Sequence, residues 1–99
     1  MNVELTAEAE ADLEAIADYI ARDNPVRALS FVREIVERCI GLAEKPEAFP
    51  VVPRYQHHGI RQGVHGRYLI FYRFEVDGIR ILHILNGGMD VEALLFPAG

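Results

Sequence analysis

RYLIFYRFEVDGIRILHILN, residues 67–86, decides the fold. β-Branched and aromatic residues lie on both sides of Asp77-Gly78, a pair that tolerates the positive φ of a two-residue type I′ turn, so the stretch reads as a β-hairpin. A turn at that point sets Val76 opposite Ile79, Phe74 opposite Ile81, Tyr72 opposite His83, Phe71 opposite Ile84, Ile70 opposite Leu85 and Leu69 opposite Asn86. Side chains alternate along a strand, so one face carries Val76, Phe74, Tyr72, Ile70, Ile79, Ile81, His83 and Leu85 and belongs against the rest of the protein. The other carries Leu69, Phe71, Leu82 and Ile84, bordered by Arg67, Arg73 and Arg80 and closed by Glu75 and Asn86. Four apolar side chains on one patch call for a cover. VEALLF, residues 91–96, can fold back over it before Pro97, or a partner can supply the cover, and both readings stay open.

Upstream of the hairpin the period changes. Asn2 to Leu5 alternates like a short strand, and Thr6 is placed to cap a helix in which Leu13, Ile16, Ala17 and Ile20 recur at helical spacing. Glu10, Glu14 and Asp18 fall on its other side as a solvated face. Asp23-Asn24-Pro25 restarts the chain: Asn24 caps, and Pro25 suits a first helical position that needs no amide hydrogen. The second helix runs to about Ala43, with Ala28, Val32, Ile35, Val36, Cys39, Leu42 and Ala43 as its apolar stripe. KPEAFPVVP, residues 45–53, has three prolines and forms an extended crossing, after which Ile60 to Val64 is a further strand. The expectation is one domain over 1–99 of the α+β class, an N-terminal strand and α-helical hairpin packed on one face of a small antiparallel β-sheet.

With 99 residues, 51% hydrophobic and 25% charged, the chain has the composition of one globular core. No apolar run approaches the roughly 18 residues of a membrane span and no leader-like start is present, so the expectation is a cytoplasmic protein with no membrane partner. The lone Cys39 lies among apolar neighbours and reads as a buried thiol. A net charge of −5 argues against bulk attraction to nucleic acid, and no direct sequence-specific nucleic-acid binding is expected of the chain alone. The charge is nevertheless uneven, with eleven acids and five bases in residues 1–50 against four acids, five arginines and all four histidines in 51–99. An anionic partner would meet the second half.

Few residues offer chemistry. His57 and His58 are adjacent and lack a third ligand at fixed spacing, so no metal or other cofactor is expected. His65 reads as a surface residue, and His83 as a hydrogen-bonded imidazole beside Tyr72 in the core. Ser30, the single serine, sits inside a helix with no turn to expose it as a nucleophile. Gly87-Gly88 has no lysine after it and matches a phosphate loop poorly, so those glycines turn the chain out of the last strand. What remains is Arg54, Arg61, Arg67, Arg73 and Arg80 with Tyr55, Tyr68 and Tyr72 interleaved; basic and aromatic residues on a sheet can bind or cleave RNA, but the sheet-borne subset is thin and Glu75 would neutralise Arg80.

ADLEAIADYIARDNPVRAL at 11–29, the proline-broken crossing and YLIFYR at 68–73 together resemble the ParE branch of the RelE/ParE toxin superfamily of type II toxin–antitoxin modules, also known as plasmid stabilisation proteins. The resemblance covers nearly the whole chain. It implies a cognate antitoxin as partner and, as for ParE-like members, inhibition of DNA gyrase by binding rather than by catalysis. On that reading Arg54, Arg61, Arg67 and Arg73 contact the target, and Leu69, Phe71, Leu82 and Ile84 meet the antitoxin. RelE-like members instead cleave mRNA on the ribosome, for which Arg61 and Arg73 would stabilise phosphate charge and Tyr68 or His65 would move a proton. A third alternative is a non-toxic homologue that keeps only antitoxin binding. The turn after the last strand commonly reads His-Gly-x-Arg-Asp in the family, whereas here it is Asn86-Gly87-Gly88-Met89-Asp90. Asparagine cannot shuttle a proton and methionine cannot hold a phosphate, which disfavours a nuclease centred on that turn.

Overall fold

Thr6 and Asn24 organise the N-terminal half. In the computed structural model, which describes residues 2–97, strand β1 (Asn2–Leu5) leads through Thr6 into helix α1 (Ala7–Ala21), and Asn24 opens α2 (Pro25–Gly41). The Thr6 hydroxyl accepts the Ala9 amide hydrogen at 3.1 Å, and Asn24 Oδ1 accepts that of Arg27 at 3.0 Å, so each satisfies a backbone donor that its helix leaves free. The proline segment then crosses to a short 3₁₀ helix (Pro53–His58), followed by β2 (Ile60–His65), β3 (Tyr68–Glu75), β4 (Gly78–Asn86) and a one-turn helix α3 (Val91–Leu95).

The sheet order is β1-β4-β3-β2. The sheet is mixed rather than wholly antiparallel, because β1 runs parallel to β4 while β2–β3 and β3–β4 are antiparallel. A strand that leaves through a helical hairpin and is rejoined after a crossover can meet its neighbour in parallel, a pairing that local hairpin signals do not reveal. Beyond β2, Val51 bridges Arg61 and the Val52 amide donates to Ile60 O at 2.9 Å, so the proline crossing covers part of the sheet's other edge.

The hairpin differs from its expected register. Glu75 pairs with Gly78, so the two-residue turn is Val76-Asp77 and not Asp77-Gly78. No non-glycine residue among those described has positive φ, which rules out a type I′ turn through Asp77. Gly78 has φ 150° for another reason: a Cβ there would collide with the carbonyl of Asn2 on β1. It is the close approach of β1 that needs glycine. Further along, Tyr72 faces Ile81 and Phe71 faces His83, leaving Leu82 as the extra residue of a β-bulge.

That bulge reassigns the two faces. Ile84 now joins Ile70, Tyr72, Ile79 and Ile81 beneath the helices, where Ala9, Leu13, Phe31, Ile35, Cys39 and Leu42 complete the main core. Leu85 moves to the other face with Phe71, Tyr55 and Ile60. Phe74 is half-exposed, and Val76, at the hairpin tip, is fully exposed rather than in the core. The second face has its cover in the chain itself, because Val91, Leu95 and Phe96 pack on this smaller cluster together with Leu69 and Leu82. Phe96 lies 5.1 Å from the Tyr55 ring and 4.5 Å from that of His58.

Candidate functional site

β1 pairs with β4 only as far as Ile81, so the rest of that edge must find other partners. Thr6 supplies two, its amide donating to Ile81 O and its hydroxyl to Leu82 O, both at 3.0 Å. Asp12 of α1 supplies the next: its Oδ2 accepts the Ile84 amide hydrogen at 3.0 Å and lies 2.7 Å from His83 Nδ1. His83 is therefore bonded to a carboxylate on α1 and not to Tyr72, whose hydroxyl donates instead to Pro46 O at 3.0 Å. Asp12 is hidden in the sequence because it falls between Glu10 and Glu14, although two residues at about 100° each place it on nearly the opposite side of α1 from those solvated acids. Its position on the sheet-facing flank, near Leu13 and Ile16, was the available signal.

Past Ile84 the β4 edge forms one wall of a groove of about 620 Å³, with Ala15, Ile16 and Tyr19 of α1 opposite and Arg67, Asn86 and Met89 at its end. Tyr19 is 67% exposed and Met89 50%, so two large apolar groups stand in solvent beside a largely apolar trough. The Asn86–Asp90 segment shapes the rim. Asn86 Oδ1 accepts the Gly88 amide hydrogen at 3.0 Å and Asp90 Oδ1 accepts that of Ala93 at 3.2 Å, so both act as turn and cap residues.

The arginines do not form one patch. Arg61 is anchored by donation from Nη1 to Phe49 O at 2.6 Å and ties the proline crossing to β2. Arg54 is well exposed and lies 3.6 Å from Glu92, linking the 3₁₀ helix to α3. Arg67 borders the apolar groove, whereas Arg73 lines a separate polar cleft with His58 and His83. Glu75 accepts from Arg80 Nε at 3.1 Å and stands 3.8 Å from Arg73 Nε. Of the four apolar residues grouped for the antitoxin, Leu69, Phe71 and Leu82 do share the second face, with Phe71 fully buried there. Ile84 is corrected to the helix-side core, because the Leu82 bulge turns it over.

His65 is less free than a surface residue. Its Nε2 is 3.3 Å from Glu34 on α2, and Glu34 also pairs with Arg27; that guanidinium first, then His65, holds the Glu34 carboxyl below its ordinary range. These contacts fasten β2 to α2. Cys39 is buried and desolvation pushes its thiol up to about 11, so it is no nucleophile near neutrality. Among the described residues no cluster of three His, Cys, Asp or Glu could hold a metal ion, and no helix is long and apolar enough to cross a membrane.

The helical hairpin on a four-stranded mixed sheet is also the fold of a solved structure described as the chromosomal ParDE TA system from P. aeruginosa. The match has a TM-score of 0.72 and 29% identity, covering 87% of this chain and 95% of that one. It places the chain among the small α+β proteins of type II toxin–antitoxin modules. The family model for the ParE toxin of the type II toxin–antitoxin system parDE matches residues 3–91, and the chain belongs to that family. No curated protein matches it.

Proposed function

We propose that the chain acts in the cytoplasm as the toxin of its module, stopping replication by binding DNA gyrase, and that an antitoxin encoded beside it masks it. The observation that carries a binding mode of action is the groove between α1 and the free length of β4, where Tyr19 and Met89 stand exposed around an apolar trough. Soluble proteins seldom leave such groups contiguous without a partner. Arg67 at the groove's end and the exposed Arg54 are the arginines best placed for target contact, while Arg61 serves the fold and Arg73 belongs to the polar cleft. For the antitoxin, Leu69, Phe71 and Leu82 become available where its segment displaces α3.

Purified protein should inhibit gyrase supercoiling, and the product of the neighbouring reading frame should relieve the inhibition. Tyr19→Asp should weaken that relief or the inhibition itself. Undisturbed supercoiling together with normal growth on induction would sink the toxin reading in favour of a homologue that only binds antitoxin. The ribonuclease alternative has less support, because Arg61 is bonded to Phe49 O, His65 to Glu34, and Tyr68 packs edge-on against Phe31 at 5.1 Å. Cleaved message that disappears with Arg73→Ala would restore it.

A further inference from the structure

Beside the covered second face a polar cleft of about 190 Å³ opens between the end of β1, the middle of β3 and β4, and the C-terminal Phe96. That is the space of about six waters, too small for a folded segment of another protein. Three cationic or proton-bearing side chains line it: Arg73, His83 and His58. His83 is held through Nδ1 by Asp12, and among the described residues its Nε2 has no protein partner. Arg73 is 40% exposed as a side chain, yet its Nε is enclosed and donates to no acceptor in the protein. Glu75, the nearest carboxylate, is 3.8 Å away and bonds Arg80 instead, so one carboxylate serves two guanidiniums. His58 packs against Phe96, the two rings tilted with their centroids 4.5 Å apart. Among the described residues Glu8 is the only carboxylate that lines the cleft itself, with Thr6 beside it.

We propose that this cleft binds a phosphate oxyanion. Arg73 supplies the permanent charge and a planar donor fork suited to phosphate, His58 can add a ring N–H, and His83, whose Nδ1–H goes to Asp12, donates from Nε2 when both ring nitrogens carry protons, which together match an anion with several equivalent oxygens. This site is separate from the apolar groove beside Tyr19, but it shares Leu82, Leu95 and Phe96 with the second face proposed for the antitoxin.

The full chain, isotopically labelled, can be titrated with inorganic phosphate at fixed pH and ionic strength while the four imidazoles are followed by NMR. His58 and His83 should shift along one saturable curve, with His57 and His65 as internal references. Arg73→Gln should weaken binding at least about tenfold, the loss of one charge-assisted contact. Should that variant misfold, Arg80→Gln gives a second test: Glu75, released, turns to Arg73 and should also weaken binding. A parallel titration with adenosine monophosphate distinguishes the sources, tighter binding assigning the cleft to nucleotide phosphate and equal binding to the free ion. Equal, unsaturable shifts of all four histidines, or an affinity unchanged by both substitutions, would overturn the proposal.

Discussion

Asp12 shows how one carboxylate can replace a missing strand. β1 stops at Leu5, and the next donor along the β4 edge, the Ile84 amide, is answered by Asp12 Oδ2 at 3.0 Å, which holds His83 at 2.7 Å as well. Asp12→Ala leaves a buried amide unpaired and should cost about 1–3 kcal/mol in urea unfolding, whereas Asp12→Asn, which keeps an acceptor, should recover roughly half. Equal stability of the three proteins would show that the edge needs no such partner. Cys39 makes a second residue-scale case. Its ordinary thiol value of 9.0 rises to about 11 in the fold, so between those values the folded state keeps a proton that the unfolded state has lost. Stability therefore falls as pH rises through that window, and the fall should be shallower in Cys39→Ala when unfolding midpoints are compared from pH 9 to 11. The buried thiol was legible from its apolar neighbours. The Asp12–His83 pair was not, since it joins residues far apart in sequence whose meeting depends on where β1 ends.

At the level of elements, local chemistry announced the helices and mislocated the hairpin's turn. Thr6, Asn24 and Pro25 mark helix starts through short-range hydrogen bonds and φ limits, so those boundaries could be read directly. Asp77-Gly78 looked equally local, but Gly78 is claimed by a tertiary contact with Asn2, and the turn moves back to Val76-Asp77. The Leu82 bulge adds a second displacement, which carries Ile84 under the helices and Leu85 away from them. Nothing in a period-two pattern foretells a bulge between two apolar runs. The structure makes opposite demands of the two dipeptide positions. Gly78→Ala combines a Cβ clash with an unfavourable φ and should lose more than about 1 kcal/mol, with the amides of β1 and the first half of β4 exchanging faster. Asp77→Ala should stay within about 0.5 kcal/mol, since Asp77 needs no positive φ. A large loss at Asp77 as well as at Gly78 would return the turn to its type I′ placement, where both positions need positive φ.

For the molecule as a whole, the α+β class followed from the order of periods, helical and then strand-like, while the fate of VEALLF did not. An apolar run that short can serve its own chain or a partner, and only the assembled sheet shows a cluster of Tyr55, Ile60, Phe71 and Leu85 for it to close. Leu95 and Phe96 complete that cluster from the end of a five-residue helix with no fully buried residue of its own, whose start Asp90 caps and which Glu92 links to the body near Arg54. So light an attachment makes the C-terminal turn the part of the molecule most readily exchanged for another apolar segment. A chain ending at Asp90 keeps the entire helix-side core and should still fold by circular dichroism, yet it bares the second face. Three part-buried side chains are lost, each contributing about 1.5–3 kcal/mol when fully buried, so the truncation should cost about 2–4 kcal/mol in urea unfolding and raise binding of a hydrophobic dye. On the proposed antitoxin site, addition of an antitoxin encoded beside the chain should then suppress the dye signal, its segment taking the place of Leu95 and Phe96 over Phe71 and Leu69. Unchanged stability with no dye binding would mean that α3 is not the cover; dye binding that the antitoxin leaves untouched would confine the antitoxin to the Tyr19 groove.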